Sequence, residues 1–144
     1  MNKPHYHVVA AIIRNQGEIL CMQRPKGKHE YTSFRWEFPD GKVEPGESEQ
    51  QALKRELLEE MDYTVEIREH YMTLEHEYPD LAVTLSFWLC DAADRTFNRK
   101  EHLDHRWLRP DQLPTLQWTA ADADVIDALA VVARGCASKP LMRR

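Results

Sequence analysis

A helix that crowds glutamates onto positions 56, 59 and 60 constrains this chain more than any other feature. Residues 41–63 run Gly41-Lys-Val-Glu-Pro-Gly-Glu47, seven further residues, then Arg55-Glu56-Leu57-Leu58-Glu59-Glu60-Met61-Asp62-Tyr63. Ser48 with Gln51 three residues on has the form of a capping box, and starts a helix expected from about Glu49 to Met61. At about 100° per residue, Leu53, Leu57 and Met61 line one apolar stripe for a core. Glu49, Glu56, Glu59 and Glu60 fall on an adjacent sector ~100° wide. Glu56 with Glu60, and Glu56 with Glu59, are like-charge neighbours on the helix surface, each costing roughly 0.2–0.5 kcal/mol. A divalent cation reverses that sign, because carboxylate oxygens are the ligands that Mg²⁺ or Mn²⁺ takes. The plainer alternative is a solvated acidic face on which Arg55 pairs with Glu59.

The rest of the chain bounds the fold. Its 144 residues suit one domain with a real core. The formal net charge of −5 argues against non-specific binding to a nucleic-acid polymer, which wants a basic face. An anionic substrate must then be captured by a local group of cations or by metal. Cys21, Cys90 and Cys136 are far apart with no CxxC spacing, and two sit in apolar runs, where buried thiols are the ordinary explanation. No apolar run approaches the ~18 residues a membrane span needs. The first residues lead into a strand without a signal-peptide hydrophobic region, so a reducing cytoplasm fits.

Periodicity places the elements. His7–Ile13 and Glu18–Gln23 read as a hairpin around Asn15-Gln16-Gly17. Residues 24–35 form a polar, basic loop, Trp36–Phe38 a short strand ending at Pro39, and Asp40–Glu47 a loop feeding the helix. Tyr63–Glu75 and Ala82–Cys90 are expected as long strands around Tyr78-Pro79-Asp80, and His105–Leu108 as a shorter one. Thr119–Arg134 is expected as a second helix, with Thr119 as N-cap and Val125, Ile126, Leu129 and Val132 facing inward. Strands interrupted by two separated helices imply an α/β fold, a mixed sheet with helices on its two faces.

The joint occurrence of Gly41, Glu47, Arg55, Glu56, Leu57, Glu59 and Glu60 resembles the signature of the Nudix hydrolases. With each residue type at ~5–10% usage, chance agreement is on the order of one in a hundred thousand or less. Trp36-Glu37-Phe38-Pro39, Leu74 to Asp80, Val83-Thr84-Leu85, Phe87-Trp88-Leu89, Trp107-Leu108 and Leu113-Pro114 are similar to the MutT branch. The resemblance covers nearly all of residues 1–144 and implies a single domain, an α/β/α sandwich, built around the loop–helix 41–63 and a carboxy-terminal helix at about 119–134. It implies hydrolysis of a nucleoside triphosphate to the monophosphate and pyrophosphate with Mg²⁺ or Mn²⁺.

The resemblance also assigns residues. Glu56, Glu59 and Glu60 would hold the divalent ions, Glu56 would activate water, and the backbone carbonyl of Asp40 would add a ligand. Glu47 would support the site through the hydration shell, Arg55 would orient the glutamates, and Gly41 belongs to the signature. Glu101 matches a position that reaches a metal or serves as base, an exposed loop acid being the competing reading. Arg24 would meet the phosphates, with Lys26, Lys28 and Arg35 as further cations. Phe38 and Tyr78 would border the base, and Asp122 would present a carboxylate to its edge, where it can accept from an exocyclic amino group such as that of cytosine. Against these stand plain packing for Tyr78 and a helix-dipole role for Asp122.

Two positions depart from the pattern. Asp62 stands where the signature closes on glycine, at a helix end where a left-handed conformation is expected. Asp40 replaces another glycine. If that site needs an unusual φ, the aspartate costs ~1 kcal/mol, and its carboxylate would reach toward the metal site. Leu81 occupies a place where MutT has an arginine, which turns the expected substrate from oxidised guanine toward cytidine or modified-pyrimidine triphosphates. Three alternatives remain open: a nucleotide-binding module without turnover, an interaction domain docking a basic partner, and a hydrolase of sugar nucleotides or dinucleotides. Whether the chain is a monomer or a homodimer is open.

Overall fold

The computed structural model describes residues 3–136, with side chains described as far as Ala130. Seven strands form one mixed sheet: β1 (His5–Asn15), β2 (Glu18–Gln23), β3 (Trp36–Glu37), β4 (Asp40–Lys42), β5 (Glu66–Glu77), β6 (Ala82–Asp91) and β7 (Asp104–Leu108). Strand β1 is the spine. It runs parallel to β6 from His5↔Ala82 to Arg14↔Asp91 and antiparallel to β2 and β4. Strand β5 closes one side against β6, and β3 and β7 pair with β2 on the other. The expected hairpin turn is present, with Gln16 and Gly17 at φ 53° and 81°, the pair of positive φ values a tight two-residue hairpin requires.

Val9 to Ile13 are fully buried on both sides of the sheet, as a strand covered on two faces must be. Helix α1 (Glu49–Met61) lies on one face, where Ala52, Leu53, Leu57 and Met61 meet Val9, Ala11, Ile13, Leu20 and Met22. Helix α2 (Ala120–Cys136) lies on the other, where Ala121, Val125, Ile126 and Leu129 meet Ala10, Ile12, Phe38, Leu85 and Phe87. This is the expected sandwich. The inward placement of Val125, Ile126 and Leu129 is found; the side chain of Val132 lies outside those described.

Several boundaries differ from the sequence reading. The segment read as a loop contains β4, a three-residue strand that exists because β1 offers it an edge. Strand β5 begins at Glu66, because Tyr63 is buried in a bend against the ring of Phe97. A 3₁₀ turn over Pro110–Thr115 precedes α2, with Leu113 buried beneath it. Thr119 precedes α2, and its carbonyl accepts from the amides of Asp122 and Ala123.

Candidate active site

Helix α1 begins as expected: Ser48 accepts from the Gln51 amide and Gln51 returns the bond to the Ser48 amide at 2.8 Å. Its far end closes on Asp62 in the left-handed conformation (φ 51°, ψ 38°), with the amides of Asp62 and Tyr63 returning to Leu58 and Leu57. The aspartate thus does what a glycine does at this position.

Between these ends, Arg55 gathers the acidic groups. Its Nε and Nη2 hold both oxygens of Glu47 at 2.7 and 2.9 Å. Nη1 reaches Glu56 at 3.0 Å and Glu59 at 3.3 Å, and Nη2 also donates to the Lys42 carbonyl at 3.0 Å. The planar fork is what permits so many simultaneous bonds. In this grip Glu47 is held down to about 2, first by the Arg55 hydrogen bonds and then by the Glu44 amide. Glu60 moves the opposite way: burial, a hydrogen bond with Glu56, and the charges of Glu56, Glu101 and Glu37 raise it well above the carboxylate range. Glu101 is exposed in the loop before β7, close enough for its charge to act on Glu60.

Gly41 explains itself sterically. A β-carbon there would overlap the Cγ and Cδ of Glu56, so the helix carboxylate lies directly on the β4 backbone. Glu49, on the same sector of α1, is engaged elsewhere: it accepts from Trp88 Nε1 at 2.9 Å, from Ser86 Oγ at 2.8 Å, and pairs with His7 Nε2 at 2.6 Å. Among the described residues, no three His, Cys, Asp or Glu side chains are already arranged as a metal cage. The carboxylates are turned instead to Arg55 and to one another. The donor chemistry nevertheless fits a hard dication, since Glu56 and Glu60 bring carboxylate oxygens together against the uncluttered backbone of Gly41. Glu59 is drawn outward to Arg55 with its side chain largely exposed.

The other face of the sheet carries a cleft of about 260 Å³, walled by Val8, Leu81, Val83 and Leu85 and by Arg24, Asp40, Tyr78 and Asp122. Phe38, expected to border the base, is fully buried in the core under α2 and does not line the cleft; its amide donates to Asp122 Oδ2 at 2.9 Å. Asp122 is buried, and desolvation together with the charge of Glu37 pushes it up to about 8. Tyr78 lines the wall and accepts from the Ala121 amide at 3.2 Å. Arg24 Nη1 donates to Glu37 at 3.2 Å, while its Nε is buried with no hydrogen-bond partner among the described residues. Of the cations expected around the phosphates, Arg24 is the one that borders this cleft. Lys26, Lys28 and Arg35 line a separate surface hollow formed by their own loop.

One expectation for Asp40 changes: its φ is not positive, so the strain anticipated for a non-glycine residue does not arise. Its side chain leaves β4 on the face opposite Gly41, because neighbouring strand residues alternate, and lines the cleft while staying close enough to Glu60 to feel its charge.

Sequence reasoning missed Glu37. It is 6% exposed and receives both Arg24 and, at 2.9 Å, His102 Nε2. The signal was available, because a glutamate between Trp36 and Phe38 in a buried strand requires partners.

Comparison with known proteins places the chain in a family. Residues 3–129 match the family model described as NUDIX domain. The chain is 37% identical over 118 residues to the CTP pyrophosphohydrolase of Escherichia coli (strain K12), covering 82% of this chain and 84% of that one. It is 37% identical over 131 residues to the 8-oxo-dGTP diphosphatase of Haemophilus influenzae, covering 90% and 94%. The solution structure of the E. coli ORF135 protein superposes with a TM-score of 0.76 at 32% identity, over 91% of this chain and 92% of that one. With its signature helix, its two-faced mixed sheet and these likenesses together, the chain belongs to the NUDIX domain family.

Proposed function

We propose that this protein hydrolyses a nucleoside triphosphate to the monophosphate and pyrophosphate, and that a cytidine nucleotide is its preferred substrate. One observation carries the reading. The carboxylates gathered by Arg55 over Gly41 and the cleft lined by Asp40, Tyr78 and Asp122 lie on either side of the same three-residue strand, β4. A nucleotide held there has its base in the cleft and its phosphates over the strand edge. The two relatives named for pyrophosphohydrolase and diphosphatase activity on nucleotides support the reaction class.

The protein's own groups divide the work. Glu56 and Glu60, with the Asp40 carbonyl, would hold the metal, and Glu59 would join them by leaving Arg55. Bound there, Mg²⁺ or Mn²⁺ supplies charge neutralisation at the phosphate oxygens and acidifies water. Glu56 is the base we assign to the attacking water, a contribution of ~10²–10⁴-fold, with Glu101 positioned to assist from the facing loop. Arg55 keeps the carboxylates apart from their own repulsion and aligned. Arg24 brings the buried, unpartnered Nε donor, which suits a substrate oxygen, since leaving such a donor unmatched costs about 1–3 kcal/mol. Tyr78 borders the base.

The cytidine preference rests on Asp122. One of its oxygens is committed to the Phe38 amide, and in its ionised form the other faces the cleft as an acceptor for an exocyclic amino group. Leu81 adds an apolar wall.

The test is incubation with Mg²⁺ and a panel of canonical, methylated and oxidised ribo- and deoxynucleoside triphosphates, with products identified by phosphorus NMR. Monophosphate plus pyrophosphate, formed fastest from a cytidine nucleotide, is expected. Orthophosphate as the product, or no turnover of any member, contradicts the proposal.

A further inference from the structure

We infer that the side chain of Asp40 is a specificity-determining group, a second carboxyl that reads the base alongside Asp122; this rests on the hydrolase reading above. Strand register carries the argument. In the antiparallel pairing of β4 with β1, Val9 faces Gly41 and Ala10 faces Asp40. Directly paired residues of adjacent strands share a face. Val9 belongs to the core under α1, and Gly41 accordingly meets Glu56 of that helix. Ala10 belongs to the core under α2, so the Asp40 side chain emerges on the α2 face, where it lines the cleft with Asp122 and Tyr78.

Among the described residues, the Asp40 carboxylate has no hydrogen-bond partner of its own, whereas Asp122 is anchored by Phe38 and Glu37 by Arg24 and His102. The cleft collects the carboxyl groups of Glu37, Asp40 and Asp122 together with the cations Arg24 and Lys42 and the ring of His29, and among the described residues Asp40 is the one of those acids whose oxygens are not already engaged. A carboxylate free in this way is an acceptor open to a ligand. It favours the amino-bearing edge of cytosine, which donates from N4, over uracil, whose carbonyl at C4 would face carboxyl oxygens. Asp40 is half-buried and lines the cleft, where a ligand can reach it.

The test measures kcat/KM for CTP and for UTP with wild type, Asp40→Ala and Asp40→Asn, and the dissociation constants of CMP and UMP by calorimetry. A ratio between two substrates cancels any shared disturbance of the β4 backbone. Wild type is expected to favour the cytidine nucleotide. Both variants are expected to lower the CTP:UTP ratio, Asp40→Ala by about tenfold, with the CMP:UMP affinity ratio falling in parallel. An equal fall for both substrates, an unchanged ratio, or a wild type without preference overturns the inference. If no triphosphate is turned over, the hydrolase reading is what fails, and the calorimetric ratio still decides the role of Asp40.

Discussion

Gly41 and Arg55 show why single residues of the signature matter. The glycine is required for space and not for its backbone freedom, since its missing side chain is where Glu56 lies. Gly41→Ala is expected to push Glu56 aside and to lower kcat on the order of 10²-fold, the scale of an ångström-sized misplacement. The fold should persist, as read by circular dichroism. Unchanged turnover would show that Glu56 does not act from this position. Much of this was legible, because the order Gly41, Glu47, Arg55, Glu56, Glu59, Glu60 carries its chemistry in its spacing. What the order hides is which groups meet. The bond between the Phe38 amide and Asp122 joins residues 84 apart, and nothing local announces it. Nor does any spacing separate Glu49 from the other glutamates of its sector. Its removal to Trp88, Ser86 and His7 is decided by the sheet beneath it.

Elements follow the same division. Helix α1 was readable from its capping box and apolar stripe, whereas β4 was not, because Asp-Gly-Lys has little intrinsic preference for a strand and pairs only because β1 is beside it. The loop between β6 and β7 is positioned by contacts that no periodicity describes. On one side Asn98 donates from its amide to Met61 at 2.8 Å and from Nδ2 to Asp62 at 2.6 Å, while Lys100 reaches Asp62 at 3.2 Å and the Glu59 carbonyl at 3.1 Å. On the other, His102 is held by Glu37. Glu101 sits between these two fastenings. Asp62, the departure from the signature, thus acts as a clamp for the loop that carries it. Because Asp62 already has a positive φ, Asp62→Gly removes the carboxylate without backbone strain. It is expected to speed hydrogen exchange at residues 98–102 and to lower kcat by roughly tenfold. Exchange no faster than in wild type would contradict the clamp.

At the scale of the whole molecule, the sandwich puts the carboxylates proposed to bind metal under one helix and the cleft proposed to hold the base under the other, with β4 between them. The cost is a set of carboxyl groups buried where α2 meets the sheet. Asp122 ordinarily ionises near 3.8, but burial and Glu37 push it to about 8 in the folded protein. Between those values the unfolded chain releases the proton and the folded chain keeps it, so this group makes stability fall as pH rises. Asp122→Asn keeps an oxygen for the Phe38 amide and removes the titration. The unfolding free energy of the variant is expected to gain on that of wild type steadily from pH 4 to pH 8 in denaturant titrations. Parallel curves would show that Asp122 does not hold its proton. No helix among the described residues is long and apolar enough to cross a membrane.

The most direct measurement is the turnover number for CTP at saturating Mg²⁺ in wild type and in Glu60→Gln, which replaces the ionisable carboxyl of Glu60 by an amide of the same shape. If the gathered glutamates work by binding a dication, the variant loses at least about 10²-fold in kcat and needs more Mg²⁺ to reach half its rate. Wild-type turnover with an unchanged Mg²⁺ requirement in Glu60→Gln would contradict the account.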